Sequence, residues 1–139
     1  QRDRLRLDGQ ATLPGVPPLL MPAAHALLQA REDVERAAAP LSATELWARP
    51  GGAASAGFHL RHLAGSIERL LAYARGEPLT EAQLAALPRE GEPGEPPAEA
   101  ATLIAAAQAA IDTALAVLRA TPEAALLQPR EVGRARLPS

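Results

Sequence analysis

One stretch of 20 residues, 57–76, constrains the fold of this chain more than any other feature. It reads GFHLRHLAGSIERLLAYARG, and its apolar residues recur at the spacing of one helix face, about 100° per residue. Ser55 is placed to cap the first turn, because its hydroxyl can accept a bond from an early backbone N–H. Gly76 suits the left-handed position that ends many helices, and Pro78 prevents the helix from resuming. The predicted apolar stripe comprises Leu60, Leu63, Ile67, Leu70, Leu71 and Ala74.

Two of the three histidines, His59 and His62, lie three residues apart near the start of this helix. A neutral imidazole nitrogen is the commonest metal donor among side chains, so one interpretation is metal ligation. The other interpretation is a pair of partly buried histidines that are hydrogen-bonded to their neighbours, and composition alone favours it. One helix cannot supply a complete metal site, so the spacing leaves both interpretations open.

Two further long helices are predicted on either side of this one. Residues 19–38 place apolar side chains on one face and charged side chains on the other. Residues 98–120 form an Ala-rich helix whose apolar stripe includes Ile104, Ile111 and Leu118. Polar residues interrupt the Ala-rich run, so we interpret it as a helix of a soluble protein and not as a membrane span.

Shorter elements connect the three long helices. Two capping-box patterns, beginning at Ser42 and at Thr80, predict short helices that run to about residues 48 and 87. A third short helix is expected at 122–127, followed by a loop over 128–139. The segment 88–97 reads PREGEPGEPP, and this composition predicts an exposed, mobile loop.

The sequence also predicts the environments of three individual side chains. Trp47 is the only tryptophan, and we expect it to pack at one end of the helices with its indole N–H bonded to one partner. Asp112 is the only acid in the middle of the Ala-rich helix, which makes it a candidate buried acid. His25 is predicted to be a surface or capping histidine.

Length and composition limit the number of domains and the classes of function that this chain can have. A chain of 139 residues is long enough for a single domain, which we assign to residues 1–139 with an irregular N-terminal segment at 1–18. The net charge of −2 gives no electrostatic footprint for nucleic acid. The chain has no cysteine, which excludes thiolate metal sites and cysteine nucleophiles and is compatible with the cytoplasm.

The run FHLRHLAG at 58–65, followed by Arg69 and Leu70, resembles the second helix of the DinB-like (YfiT-like) four-helix-bundle superfamily. The preceding ELWARP at 45–50 resembles the lead-in that these proteins carry before that helix. Residues 16–20 and 29–35 match the pattern of their first helix. The resemblance extends over most of the chain.

This resemblance implies an all-α fold, an up-down four-helix bundle of which three long helices are visible. In the family, one histidine of the second helix and two of the fourth bind a divalent metal. The position that matches the second-helix ligand is His62, with His59 as the second candidate. The sequence ends at Ser139 before a fourth helix, so we expect the other ligands of a zinc, nickel or iron class metal to lie outside this chain.

The resemblance also implies a function, a metal-dependent hydrolase or thiol S-transferase acting on a small molecule. The alternative is a non-catalytic binding or interaction module that keeps the bundle with a degenerate or incomplete metal site. Three helices leave one apolar side uncovered, so we expect either a homodimer or a further helix to cover it. We expect no nucleic acid or membrane partner.

Overall fold

The computed structural model describes residues 12–132, 135, 137 and 138, and most of them are helical. Residues 1–11, which belong to the predicted irregular N-terminal segment, lie outside the described residues. The predicted all-α class is confirmed. The helices of the described part are α1 (Met21–Ala38), α2 (Ala43–Trp47), α3 (Ala56–Ala74), α4 (Glu81–Ala86) and α5 (Ala100–Ala120).

The ends of α3 form as the sequence predicts. The Ser55 hydroxyl accepts a hydrogen bond from the Phe58 N–H at 3.0 Å and caps the first turn. Gly76 has a φ of 72°, the left-handed backbone that glycine adopts without a steric cost. The Glu77 N–H then bonds to the Ala72 carbonyl at 3.0 Å, which completes a Schellman motif.

Two of the three short connecting helices form as predicted, and the third, near the C-terminus, is shorter than predicted. Both predicted capping boxes are present, and they open α2 and α4. The helix predicted at 122–127 is only a 3-10 turn, Glu123–Ala125. The predicted C-terminal loop contains two short strands, β1 (Glu131–Val132) and β2 (Leu137–Pro138), which pair antiparallel. Strands of two residues are too short to leave an alternating pattern in the sequence.

Helix α5 is the centre of the fold, because it packs against both α1 and α3. Ile111 is completely buried in the cluster that joins these three helices, together with Ala24 of α1 and Ile67 of α3. A second cluster at the α2 end of the bundle surrounds the completely buried Leu46. By length and composition α5 is also the one described helix that could cross a membrane, but a core helix passes the same test.

A mainly apolar groove of about 350 Å³ runs between α1 and α3. Asp33 and His59 line it, and its apolar walls are Val34, Ala37, Ala38, Leu41, Ala56, Leu60 and Leu63. Below it is called the α1/α3 groove. Leu70 follows Leu63 by seven residues, two turns along the same face of α3, and it is 62% exposed.

The predicted apolar stripe of α3 is therefore only partly buried, since Leu70 and Ala74 are exposed. Helix α3 turns Leu60, Ala64 and Ile67 inward, while Leu70 lies beside that buried stripe. Within the described part of the chain, no element covers this side of α3. The helical wheel identified an apolar face that is broader than the surface that α5 and α1 bury.

Trp47 closes one end of the bundle. Its indole N–H donates to the carbonyl of Ala98 at 2.8 Å, the single partner that the sequence predicts for this half-buried side chain. The guanidinium of Arg61 lies 4.7 Å from the centroid of the Trp47 ring. Gly57 of α3 faces the same ring, and a Cβ added there would lie 2.7 Å from its carbons.

This contact predicts that Gly57→Ala lowers the free energy of unfolding by about 1–3 kcal/mol, since the ring or the helix must move. The gain in helix propensity from alanine, about 1 kcal/mol, offsets part of that cost. Urea denaturation of the variant measures the difference. Gly91→Ala is the matched control, because its Cβ would lie 3.8 Å from Phe58, an ordinary contact. Equal stability of the two variants would contradict the prediction.

Candidate functional site

A buried carboxylate holds His62 in place. His62 lies on α3, and its Nδ1 is 2.7 Å from Oε2 of Glu90. The Glu90 side chain is only 8% exposed, whereas that of His62 is 48% exposed. Glu90 follows the 3-10 turn Leu87–Arg89, within the segment predicted to be an exposed loop. That prediction holds for the exposure of residues 91–97 but is wrong for Glu90.

Arg69 holds the other oxygen of the same carboxylate. Its Nη1 donates to Oε1 of Glu90 at 2.8 Å, and the Arg69 side chain is 11% exposed. Gly65 lies beside this pair, and a Cβ at that position would approach both bonded atoms to 2.7 Å. The absence of a side chain at Gly65 thus gives the ion pair the room that it occupies against α3.

Two opposing influences act on the pKa of Glu90. Burial, the larger single influence, raises the pKa of this carboxyl. The hydrogen bonds from His62 and Arg69 and the charges of both groups lower it, and together they outweigh burial, so the pKa of Glu90 lies below its ordinary value. Glu90 is therefore ionised at neutral pH and accepts hydrogen bonds from both partners.

The ionised carboxylate determines which nitrogen of His62 is available. Because Glu90 accepts at Nδ1, we assign the proton of the neutral ring to Nδ1 and the lone pair to Nε2. The only hydrogen-bond contact of Nε2 in the described structure is a long one, 3.4 Å to the Ser66 hydroxyl. Phe58 stacks on the imidazole with a centroid distance of 5.3 Å and an interplanar angle of 14°. His62 is thus oriented on two sides, with Nε2 left for a further ligand.

The other candidates from the sequence lie elsewhere. His59 is exposed, lines the α1/α3 groove and meets the Phe58 ring edge-on. Asp112 is not buried: its side chain is 55% exposed and pairs with Arg31 at 2.9 Å. His25, predicted to be a surface or capping histidine, is half-buried, and its Nε2 has no hydrogen-bond partner among the described residues.

Part of this site was visible in the sequence. His62, Ser66 and Arg69 follow one another at helical spacing, which predicts that they share the polar face of α3. Glu90 could not be assigned in this way, because it lies 28 residues beyond His62 and follows a separate helix. Its role comes from tertiary packing, and no local motif announces it.

The described residues fit one ligand position of a divalent metal but not a complete site. A ring that donates from one nitrogen to a carboxylate and leaves the other nitrogen free is the usual arrangement of a metal-binding histidine. No group of three or more His, Asp or Glu side chains in the described part of the chain is arranged to hold a metal ion.

Fold and site together define a helical-bundle protein with a carboxylate-oriented histidine on its second long helix. The family model of the DinB superfamily matches residues 26–137, which is most of the chain. The chain therefore belongs to the DinB superfamily, as its sequence motifs predicted. No curated protein and no solved structure matches it significantly.

Proposed function

We propose that this protein is a metal-dependent enzyme of the hydrolase or thiol S-transferase type, acting on a small molecule. In this proposal His62 supplies one ligand, through Nε2, to a divalent metal of the zinc, nickel or iron class. The observation that carries the proposal is the bond between His62 Nδ1 and the buried carboxylate of Glu90. Membership of the DinB superfamily supports it.

Each residue of the site has a stated task in this proposal. Glu90 keeps the Nδ1 proton on His62 and makes the ring a better donor at Nε2. Arg69 keeps Glu90 ionised, and the stacked Phe58 restricts rotation of the ring. When bound, the metal would supply Lewis-acid activation of a water molecule or a thiol.

The remaining ligands need a further structural element. The α1/α3 groove and the neighbouring Leu70 form an exposed apolar surface. This exposure supports the proposal that another helix packs on it. We propose that this helix comes either from a second copy of the chain, as a homodimer, or from a fourth helix of the bundle. Light scattering distinguishes the two sources, because only the homodimer doubles the mass. We also propose a cytoplasmic location, with which the lack of cysteine is compatible.

A second function, a non-catalytic binding or interaction module, has one observation in its favour. The described residues hold no group of three side chains that could bind a metal. A bundle that lost the other ligands would keep the Glu90–Arg69 pair for stability alone. The two functions differ in whether the Nε2 atom of His62 ever binds a metal.

Cobalt binding tests the proposal at His62. We expect His62→Ala to lower the affinity of the isolated protein for Co²⁺ by at least about 10–100-fold, since a ligand contributes no less than its supporting partner. We expect His59→Ala to leave the affinity unchanged. Isothermal titration measures both affinities, and circular dichroism checks that both variants keep the helical content of the wild type. Equal Co²⁺ affinity of the wild type and His62→Ala would exclude His62 as a ligand and favour the non-catalytic module.

A further inference from the structure

A second cavity has Glu90 among its lining residues. It has a volume of about 490 Å³, is open to solvent, and lies between α3, α4 with the 3-10 turn that follows it, and α5. This volume is within the range of small-molecule sites in proteins, about 300–1,000 Å³. The cavity does not include His62 in its walls. A ligand in this cavity would therefore bind separately from a metal at His62.

Small side chains keep this cavity open. Leu60 and Ala64 of α3 and Leu103 and Ala106 of α5 form apolar walls. The side contributed by α4 consists of Gln83 and three alanines, Ala82, Ala85 and Ala86. A helix with alanine at successive cavity positions covers the space without filling it. The apolar part of the cavity suits a short hydrocarbon or aryl group.

Cationic side chains dominate the polar part of the cavity. Arg69 and Glu90 neutralise each other, so the uncompensated charges are those of Arg61, Arg89 and Glu68. Arg61 is held by its contact with Trp47 and by a hydrogen bond to the carbonyl of Glu92, neither of which removes its charge. Arg89 is exposed and pairs with no carboxylate in the part of the chain that the structure describes. A guanidinium in this position is suited to bind a carboxylate with two parallel hydrogen bonds.

We propose that this cavity binds a small amphiphilic monocarboxylate, with its apolar body against α4 and α5 and its carboxylate on Arg89. Both halves of the ligand follow from the lining residues, which combine alanine and leucine with one more arginine than glutamate. The proposal does not depend on a metal at His62.

Octanoate is the probe, and isothermal titration calorimetry at low ionic strength in the presence of EDTA is the measurement. EDTA removes divalent metals, so failure of this proposal and failure of metal binding are distinguishable. We expect octanoate to bind and octanamide, which has the same chain without the charge, to bind at least about tenfold more weakly.

Two variants locate the binding. Arg89→Ala is expected to weaken the binding of octanoate about tenfold. Arg36→Ala removes the same charge from α1, which contributes no residue to the cavity lining, and is expected to have no effect. Ala106→Leu keeps every charge and fills the cavity from an exposed helix position, so we expect it to abolish binding without loss of helix. No binding of octanoate, equal binding of octanamide, or binding unaffected by Ala106→Leu would each overturn the proposal.

Discussion

Replacing Ile111 with alanine is expected to lower the free energy of unfolding by about 3–4 kcal/mol. Ile111 is completely buried at the centre of α5, the helix that holds α1 and α3 together. Its cluster is apolar and joins Met21 and Ala24 of the first long helix to Ile67 of α3, so truncation to alanine removes buried apolar contacts and leaves a cavity. Urea denaturation followed by far-ultraviolet circular dichroism measures the loss.

The control for this experiment is Leu127→Ala, which removes a similar number of atoms from a side chain that is 92% exposed. We expect that variant to change the free energy of unfolding by less than about 0.5 kcal/mol. A loss of under 1 kcal/mol for Ile111→Ala would mean that α5 is not the central core helix, and the account of the fold would be wrong.

Replacing Arg69 with methionine is expected to cost about 3 kcal/mol, because it leaves the carboxylate of Glu90 buried with only His62 as a partner. Methionine keeps much of the arginine stem, so packing changes little. Replacing both Arg69 and Glu90 with methionine should restore part of the lost stability, since no uncompensated charge then remains. A double variant whose loss is the sum of the two single losses would show that the pair does not interact.

The exposed pair of Arg31 and Asp112 is the matched control for this charge effect. Its side chains are 38% and 55% exposed, so we expect Arg31→Met to lower the stability much less than Arg69→Met does. The pH dependence gives a second readout. The pKa of Glu90 is lowered in the folded protein, so its contribution is present above the ordinary value of 4.5 and is lost as the pH falls. Lowering the pH should therefore reduce the difference in free energy of unfolding between the wild type and Arg69→Met.

The helices of this protein are readable from its sequence because their signals are local. The apolar spacing of α3, the Ser55 cap and the glycine at position 76 each act within a few residues, and the structure places all three as predicted. The apolar stripe of α3 was predicted less well. Spacing identifies which residues share a face, but it does not say which part of that face meets a partner, and so the exposure of Leu70 could not be read from the stripe.

The candidate site was only half predictable for a related reason. His62 and Arg69 belong to one helix, and their shared face follows from helical geometry. Glu90 lies in a segment rich in proline, glycine and glutamate, a composition typical of exposed loops. Its burial depends on hydrogen bonds to His62 and Arg69 of α3 and on the space beside Gly65. These contacts arise only from tertiary packing. A glutamate in such a segment cannot be recognised from its neighbours in sequence.

The most direct test of the proposed function is elemental analysis of the protein isolated from its own source without metal-affinity columns. The proposal predicts about one zinc, nickel or iron per chain in the wild type, and a content near zero in His62→Ala, while His59→Ala retains the metal. A wild-type protein without bound metal, or a His62→Ala protein with the same metal content as the wild type, would contradict the proposal that His62 is a metal ligand.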